Sequence, residues 1–231
     1  MAAPTTSGTV DFKLDILQIC EEAYERAGTE MRSGYDLRSA RRSLSLMLLE
    51  WSNKGLNLWT VAEADVALVA GTKTYDLADD CVDVLETVLR SGSGDNQVDY
   101  NLTRLSVSSY AHTANKNSSA RPTSYYVDRQ NRATITLYPE PNDASQTAHY
   151  WYVRRIQDLG DNTNNPDMPE WFVPALVAGL AFNIALKRPE LEGRITALKT
   201  LYDEAYTLAA GEDRSKTSTF WAPDMSLYGV V

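Results

Sequence analysis

The chain has 231 residues, of which 43% are apolar and 23% charged, the balance of a folded globular protein rather than a disordered one. Its formal net charge of −9 argues against a general electrostatic clamp on nucleic acid, because such binding depends on Lys and Arg neutralising phosphates. No apolar run approaches the roughly 20 residues that cross a bilayer, so no membrane role is expected. Residues 1–10 are small and polar without Lys or Arg, which does not read as a secretory signal, and an intracellular site of synthesis is expected.

Helical spacing opens over residues 11–27, where Phe12, Ile16, Ile19, Ala23 and Tyr24 recur every three or four positions and Gly28 stands ready to cap the end. A second helix is expected from Asp36 as N-cap, with Leu37, Ala40, Leu44, Met47, Leu48 and Trp51 on one face and Gly55 as its stop. The short polar link between them favours an antiparallel hairpin. Arg38, Arg41 and Arg42 cluster on this helix. They read first as a solvated face or intramolecular ion pairs, with a binding patch as the alternative.

From Leu58 the period changes to two: Val61, Val66, Leu68, Tyr75, Leu77, Val82, Val84, Leu85 and Val88 fall in short runs divided by Gly71 and by residues 91–95. The pattern resumes over residues 124–129, turns at Gln130 and Asn131, and continues through residues 133–138 and 147–156. Between these runs, residues 102–121 form a Ser, Asn and Ala-rich stretch with room for one short helix.

Helical spacing returns after a polar hinge at residues 160–166. Pro169 suits a first helical turn, and Trp171, Phe172, Leu176, Leu180, Phe182, Ile184 and Leu186 make a strongly apolar body. Pro189 begins a fourth helix with Leu191, Ile195, Leu198, Leu201, Tyr202, Ala205 and Leu208, which Gly211 is expected to close. The order predicts an α+β fold: a discontinuous antiparallel helical bundle with an inserted antiparallel β domain. Its parts are residues 1–57 and 158–211 for the two halves of the bundle, 58–157 for the β domain, and 212–231 for an extended C-terminal arm. Phe220, Trp221, Met225, Leu227 and Tyr228 give that arm apolar anchors without any periodicity, leaving open whether it docks on its own chain or on a partner.

A catalytic centre is not expected. His112 and His149 have no Cys, His or acid at ligand spacing, and Cys20 and Cys81 form neither a metal motif nor a disulfide framework, so no metal or cofactor is assigned. No nucleophile elbow, Walker loop or dinucleotide fingerprint is present. Ser91-Gly92-Ser93-Gly94-Asp95-Asn96 reads as a hairpin turn, since no helix or Lys follows it. Residues 161–167 suggest calcium but place Pro166 where an EF-hand needs Gly and Phe172 where it needs Glu. Asp79 with Asp80 and Asp203 with Glu204 read as surface charge, and Asp76, Asp79, Asp80 and Asp83 as a solvated turn or a weak cation site. Tyr125, Tyr126, Tyr138, Tyr150, Trp151 and Tyr152 fit a sandwich core, with a sugar-binding platform as the alternative.

Several stretches in order carry a resemblance. Gly71-Thr72-Lys73-Thr74-Tyr75-Asp76-Leu77 with Val82-Asp83-Val84-Leu85, then Arg121-Pro122-Thr123-Ser124-Tyr125-Tyr126-Val127, Leu137-Tyr138-Pro139-Glu140-Pro141 and Asp167-Met168-Pro169-Glu170-Trp171-Phe172 resemble the head-to-tail adaptor, or tail tubular, proteins of podoviruses. The resemblance implies a structural protein rather than an enzyme: a helical bundle with an inserted β domain, assembled as a dodecameric ring in the virion. Its implied partners are further copies of the chain, the portal above and the tail nozzle below, while genomic DNA passes through the lumen without specific binding. It further implies that the arm, through Phe220, Trp221, Met225, Leu227 and Tyr228, reaches the portal. A glycan-binding tail module and a cell-wall hydrolase are the alternatives, requiring an exposed aromatic platform and two opposed carboxylates respectively.

Overall fold

The computed structural model of the chain describes residues 14–54, 58–92, 94–161 and 163–214. Two helices lead, α1 (Ile16–Ala27) and α2 (Gly34–Ser52). The β region follows as β1 (Val61–Ala67), β2 (Thr74–Asp76), β3 (Cys81–Ser91), β4 (Val98–Asn101), β5 (Thr103–Arg104), a short α3 (Val107–Ala111), β6 (Ser119–Ala120), β7 (Ser124–Asp128), β8 (Thr134–Tyr138), β9 (Glu140–Pro141) and β10 (Thr147–Arg154). Two longer helices close the order, α4 (Val173–Leu186) and α5 (Ile195–Glu212), each preceded by a 3-10 turn.

The helix ends follow from their caps. Asp15 accepts from the Gln18 N–H at 2.7 Å, and Gln18 answers to the Asp15 backbone, a reciprocal cap that starts α1. Gly28 ends it in the left-handed region at φ 88°, as its position predicts. For α2 the expected N-cap is displaced: Ser33 holds that place and Asp36 is the third helical residue, receiving the Ser33 N–H at 3.1 Å. Serine three residues ahead of an acid forms the same reciprocal cap, so Asp36 closes the motif rather than opening it. Gly55 and residues 11–13 lie outside the described residues. Gly211 does not close the last helix, which runs through it to Glu212.

One apolar core takes side chains from α1, α2, α4 and α5. Its centre is α4, which touches each of the other three and is buried on nearly every side, from Ala175 through Ala181 and again at Ile184 and Ala185. A helix apolar all round is a central one. The second core lies between two four-stranded sheets, ordered β1-β10-β3-β4 and β2-β8-β7-β5, with Val84, Leu89, Ala148 and Tyr150 from one meeting Tyr125, Ile135 and Leu137 from the other. The long pairings are antiparallel. Two short ones, β5 with β7 and β6 with β9, are parallel, which the strand spacing did not predict because both join segments distant in sequence.

The joint between strands and helices is tied by Arg154 at the end of β10, whose Nη2 donates to Asp167 Oδ1 at 2.9 Å while its guanidinium lies 5.8 Å from the Trp59 ring. Asp167 also accepts the Gln157 N–H at 3.0 Å. At the other side of the joint the Leu58 N–H donates to Asp213 Oδ2 at 2.9 Å, fastening the entry to the strands beside the end of α5.

Candidate assembly surfaces

Phe220, Trp221, Met225, Leu227 and Tyr228, the residues expected to bind the portal, lie outside the described residues. Of residues 212–231 the structure describes 212–214, where Asp213 accepts the Leu58 N–H.

The described groups with chemical potential are either buried or held by neighbouring side chains and backbone. Both cysteines are buried, and burial pushes each thiol up to about 11, which suppresses the nucleophilic thiolate at neutral pH. His149 lies in the outer face of its sheet with Nδ1 2.7 Å from Asp65 Oδ1 and its ring edge-on to Trp151. His112 Nδ1 lies 2.7 Å from the Ser108 carbonyl on the end of α3. The acids of the turn region are held separately: Asp79 by Arg132, Asp80 by the Tyr152 hydroxyl, Asp83 by Arg104 and Arg129. Among the described residues no group of three His, Cys, Asp or Glu is placed to hold a metal. Tyr125, Tyr150 and Tyr152 face the sandwich core, and Tyr126 stacks on Tyr110 at 5.3 Å, so the tyrosines form no single exposed platform.

The motifs that carried the resemblance have structural tasks here. Tyr75 accepts the Val69 N–H at 3.0 Å and donates to the Thr72 carbonyl at 2.7 Å, closing the turn that contains Gly71. Arg121 lies 3.3 Å from the Tyr100 ring centroid, pinning the loop before β7 to β4. Asp167 is the anchor of the joint.

Exposed leucines mark one face on α2 and another on α5. On α2, Leu46 and Leu49 are each 62% exposed and share one side with Tyr35, Arg38 and Arg42. The three arginines that sequence grouped together are separated by the structure: Arg41 turns inward to the Gly160 carbonyl, while Arg38 and Arg42 stay outside. Lys187, at the end of α4, donates to the Ser39 carbonyl and hydroxyl at 3.1 Å. Burial and then the neighbouring charge of Arg42 hold its pKa below the usual lysine value.

The second face is a groove of about 500 Å³ between α4 and α5, walled by Pro174, Ala178, Ala181, Leu201 and Leu208 with Arg26 and Arg194 at its rim. The helical spacing counted Leu201 and Leu208 with the buried stripe, but Leu198, Tyr202 and Ala209 fill the core and Leu208 is 76% exposed. A signal was present: positions 201 and 208 fall a heptad apart, on a line beside the one that runs through 198, 202 and 209.

A family model described as SU10 adaptor protein matches residues 20–224. No curated protein matches the sequence. The family match reaches past the described residues to include Phe220 and Trp221. It takes in α1 from its fifth residue, α2, all the described strands, α4 and α5, and on that extent the chain belongs to the SU10 adaptor protein family, a family of structural phage adaptors.

Proposed function

We propose that this chain is the head-to-tail adaptor of a short-tailed phage, one subunit of a dodecameric ring that joins the portal to the tail nozzle and extends the DNA channel. The observation that carries the ring is the presence on one subunit of two unlike exposed faces, an acidic one on α1 with Glu21 and Glu25, and a basic and apolar one on α2 with Arg38, Arg42 and Leu49. An isologous dimer needs one self-complementary patch, whereas a closed ring needs two different patches that fit each other.

In this reading residues 1–57 and 158–211 are the two halves of one helical bundle, and residues 58–157 are a domain inserted between them. The shared core of α1, α2, α4 and α5 supports it, as does the separate core of the strands. The arm, residues 212–231, anchors the ring to the portal through Phe220, Trp221, Met225, Leu227 and Tyr228. The net charge of −9 suits a channel through which a polyanion moves without being held. The test is the mass of the chain assembled on heads that lack it, by native mass spectrometry or electron microscopy. Closed rings are expected, and heads decorated by monomers alone overturn the proposal.

A further inference from the structure

The outward sides of α1 and α2 carry opposite charge in the same spacing. At the start of α1 and along it the exposed stripe is Leu14, Gln18, Glu21 and Glu25, stepping by four, three and four residues. Along α2 it is Arg38, Arg42, Ser45 and Leu49, with the same steps. On α2 the four residues form one line of the helix surface; on α1 Gln18, Glu21 and Glu25 do, and Leu14, just ahead of the N-cap, borders the same groove.

Among the described residues neither Glu21 nor Glu25 is ion-paired, and neither is Arg38 nor Arg42; the neighbouring pairs use Glu22 with Arg26 and Asp36 with Arg188. Lys187 adds a third cation beside Arg42 without an acid of its own. The stripes also open on different grooves. That of α1 borders Val173, Pro174 and Val177 at the beginning of α4, and that of α2 borders Lys187 at its end. Within one chain they therefore leave each other's charges unanswered.

We propose that the acidic stripe of α1 in one copy packs antiparallel against the basic stripe of α2 in the next, setting Glu25 on Arg38, Glu21 on Arg42, Gln18 on Ser45 and Leu14 on Leu49. Direction is decided by the order of residues. A parallel alignment sets Leu14 against Arg38 and Glu25 against Leu49, whereas the antiparallel one joins acid to base twice, a neutral polar pair, and leucine to leucine. Leu46, exposed beside Leu49, widens the apolar end of the contact. The contact is heterologous, so it repeats from copy to copy and closes only as a ring. It rests on the ring reading above and names its repeating surface.

The experiment uses full-length chains carrying R38E with R42E, or E21K with E25K, each checked for wild-type helix content and added to heads that lack the protein. Each variant alone presents like charges across the contact and is expected to need at least about tenfold more protein to assemble than wild type. An equal mixture presents acid to base at every contact again and is expected to assemble as wild type does. A second pair of chains, L14C and L49C, is expected to form a disulfide between unlike copies when mixed and oxidised on heads, with Cys20 and Cys81 buried and inert. Variants that assemble alone at the wild-type concentration, a mixture that stays unassembled, or mixed cysteine chains that give no unlike pair each overturn the inference. The ring reading survives those results so long as wild type forms rings. Wild type found on heads only as monomers removes both.

Discussion

Trp51 on α2 and Tyr202 on α5 meet through a buried 2.7 Å hydrogen bond, the indole Nε1 donating to the phenol oxygen across 151 positions of chain. The Lys54 ammonium donates to the same oxygen at 3.1 Å and lies 4.5 Å from the Tyr206 ring. One hydroxyl thus joins a helix from the beginning of the chain to one near its end. Replacing Tyr202 by Phe strands the Trp51 N–H in the core and is expected to cost about 1–3 kcal/mol, the price of a buried donor without an acceptor. Urea unfolding reads it directly, and an unchanged midpoint would show that the bond contributes nothing.

Gly179 of α4 lies where α2 and α5 both press in. A Cβ there falls 2.5 Å from Met47 Sδ and 2.8 Å from the Tyr202 ring. In an open helix Gly→Ala stabilises by about 1 kcal/mol. Here Gly179→Ala is expected to lower the melting temperature, and Gly179→Val to destabilise by about 1–3 kcal/mol through overpacking. A rise in melting temperature for the alanine variant would mean that Met47 yields without cost.

The joint between the two cores should be sensitive to acid. Burial raises the pKa of Asp167, but the Arg154 guanidinium and the Gln157 N–H outweigh it and hold the carboxyl below the usual aspartate range. A depressed folded-state pKa stabilises the protein above the unfolded value, roughly 3.9 for Asp, and that contribution is lost as pH falls through the folded value. Asp167→Asn is expected to cost about 1–3 kcal/mol near neutrality by leaving Arg154 half-buried without its partner. The gap between variant and wild type should narrow as pH falls below 4. A gap of equal size at both ends of the titration would remove the ion pair as its cause.

Removing the residues after Thr219 is expected to leave helix content and unfolding midpoint unchanged while abolishing attachment to heads. Aromatic anchors typically contribute about 2 kcal/mol or more at an interface, so Trp221→Ala alone should weaken attachment by roughly thirtyfold per subunit. Circular dichroism with a pull-down on heads separates the outcomes. A truncated chain that unfolds assigns the arm to its own core, and one that binds heads undiminished makes the arm dispensable.

Features that depend on near neighbours in the chain are legible from the residues alone. The repeat of Ile16, Ile19, Ala23 and Tyr24 and the glycine that follows settle α1 and its end, because helix hydrogen bonds and the left-handed cap are local. The all-round apolar character of α4 likewise announces a central helix. The exchange of roles between Ser33 and Asp36 is local too, but both residue types cap well and only the observed chain direction distinguishes them.

Which of several equivalent side chains are buried depends on contacts made after folding. Leu198 and Leu201 are alike in sequence, yet α4 covers one and leaves the other facing a groove. Arg41 and Arg42 are adjacent, yet 100° of helical turn sends one to the Gly160 carbonyl and the other to solvent beside Lys187. The parallel pairing of β5 with β7 and the ion pair of Arg154 with Asp167 join segments that meet only after the chain has folded back. A helix surface has one periodicity but several neighbours, and burial belongs to the neighbours.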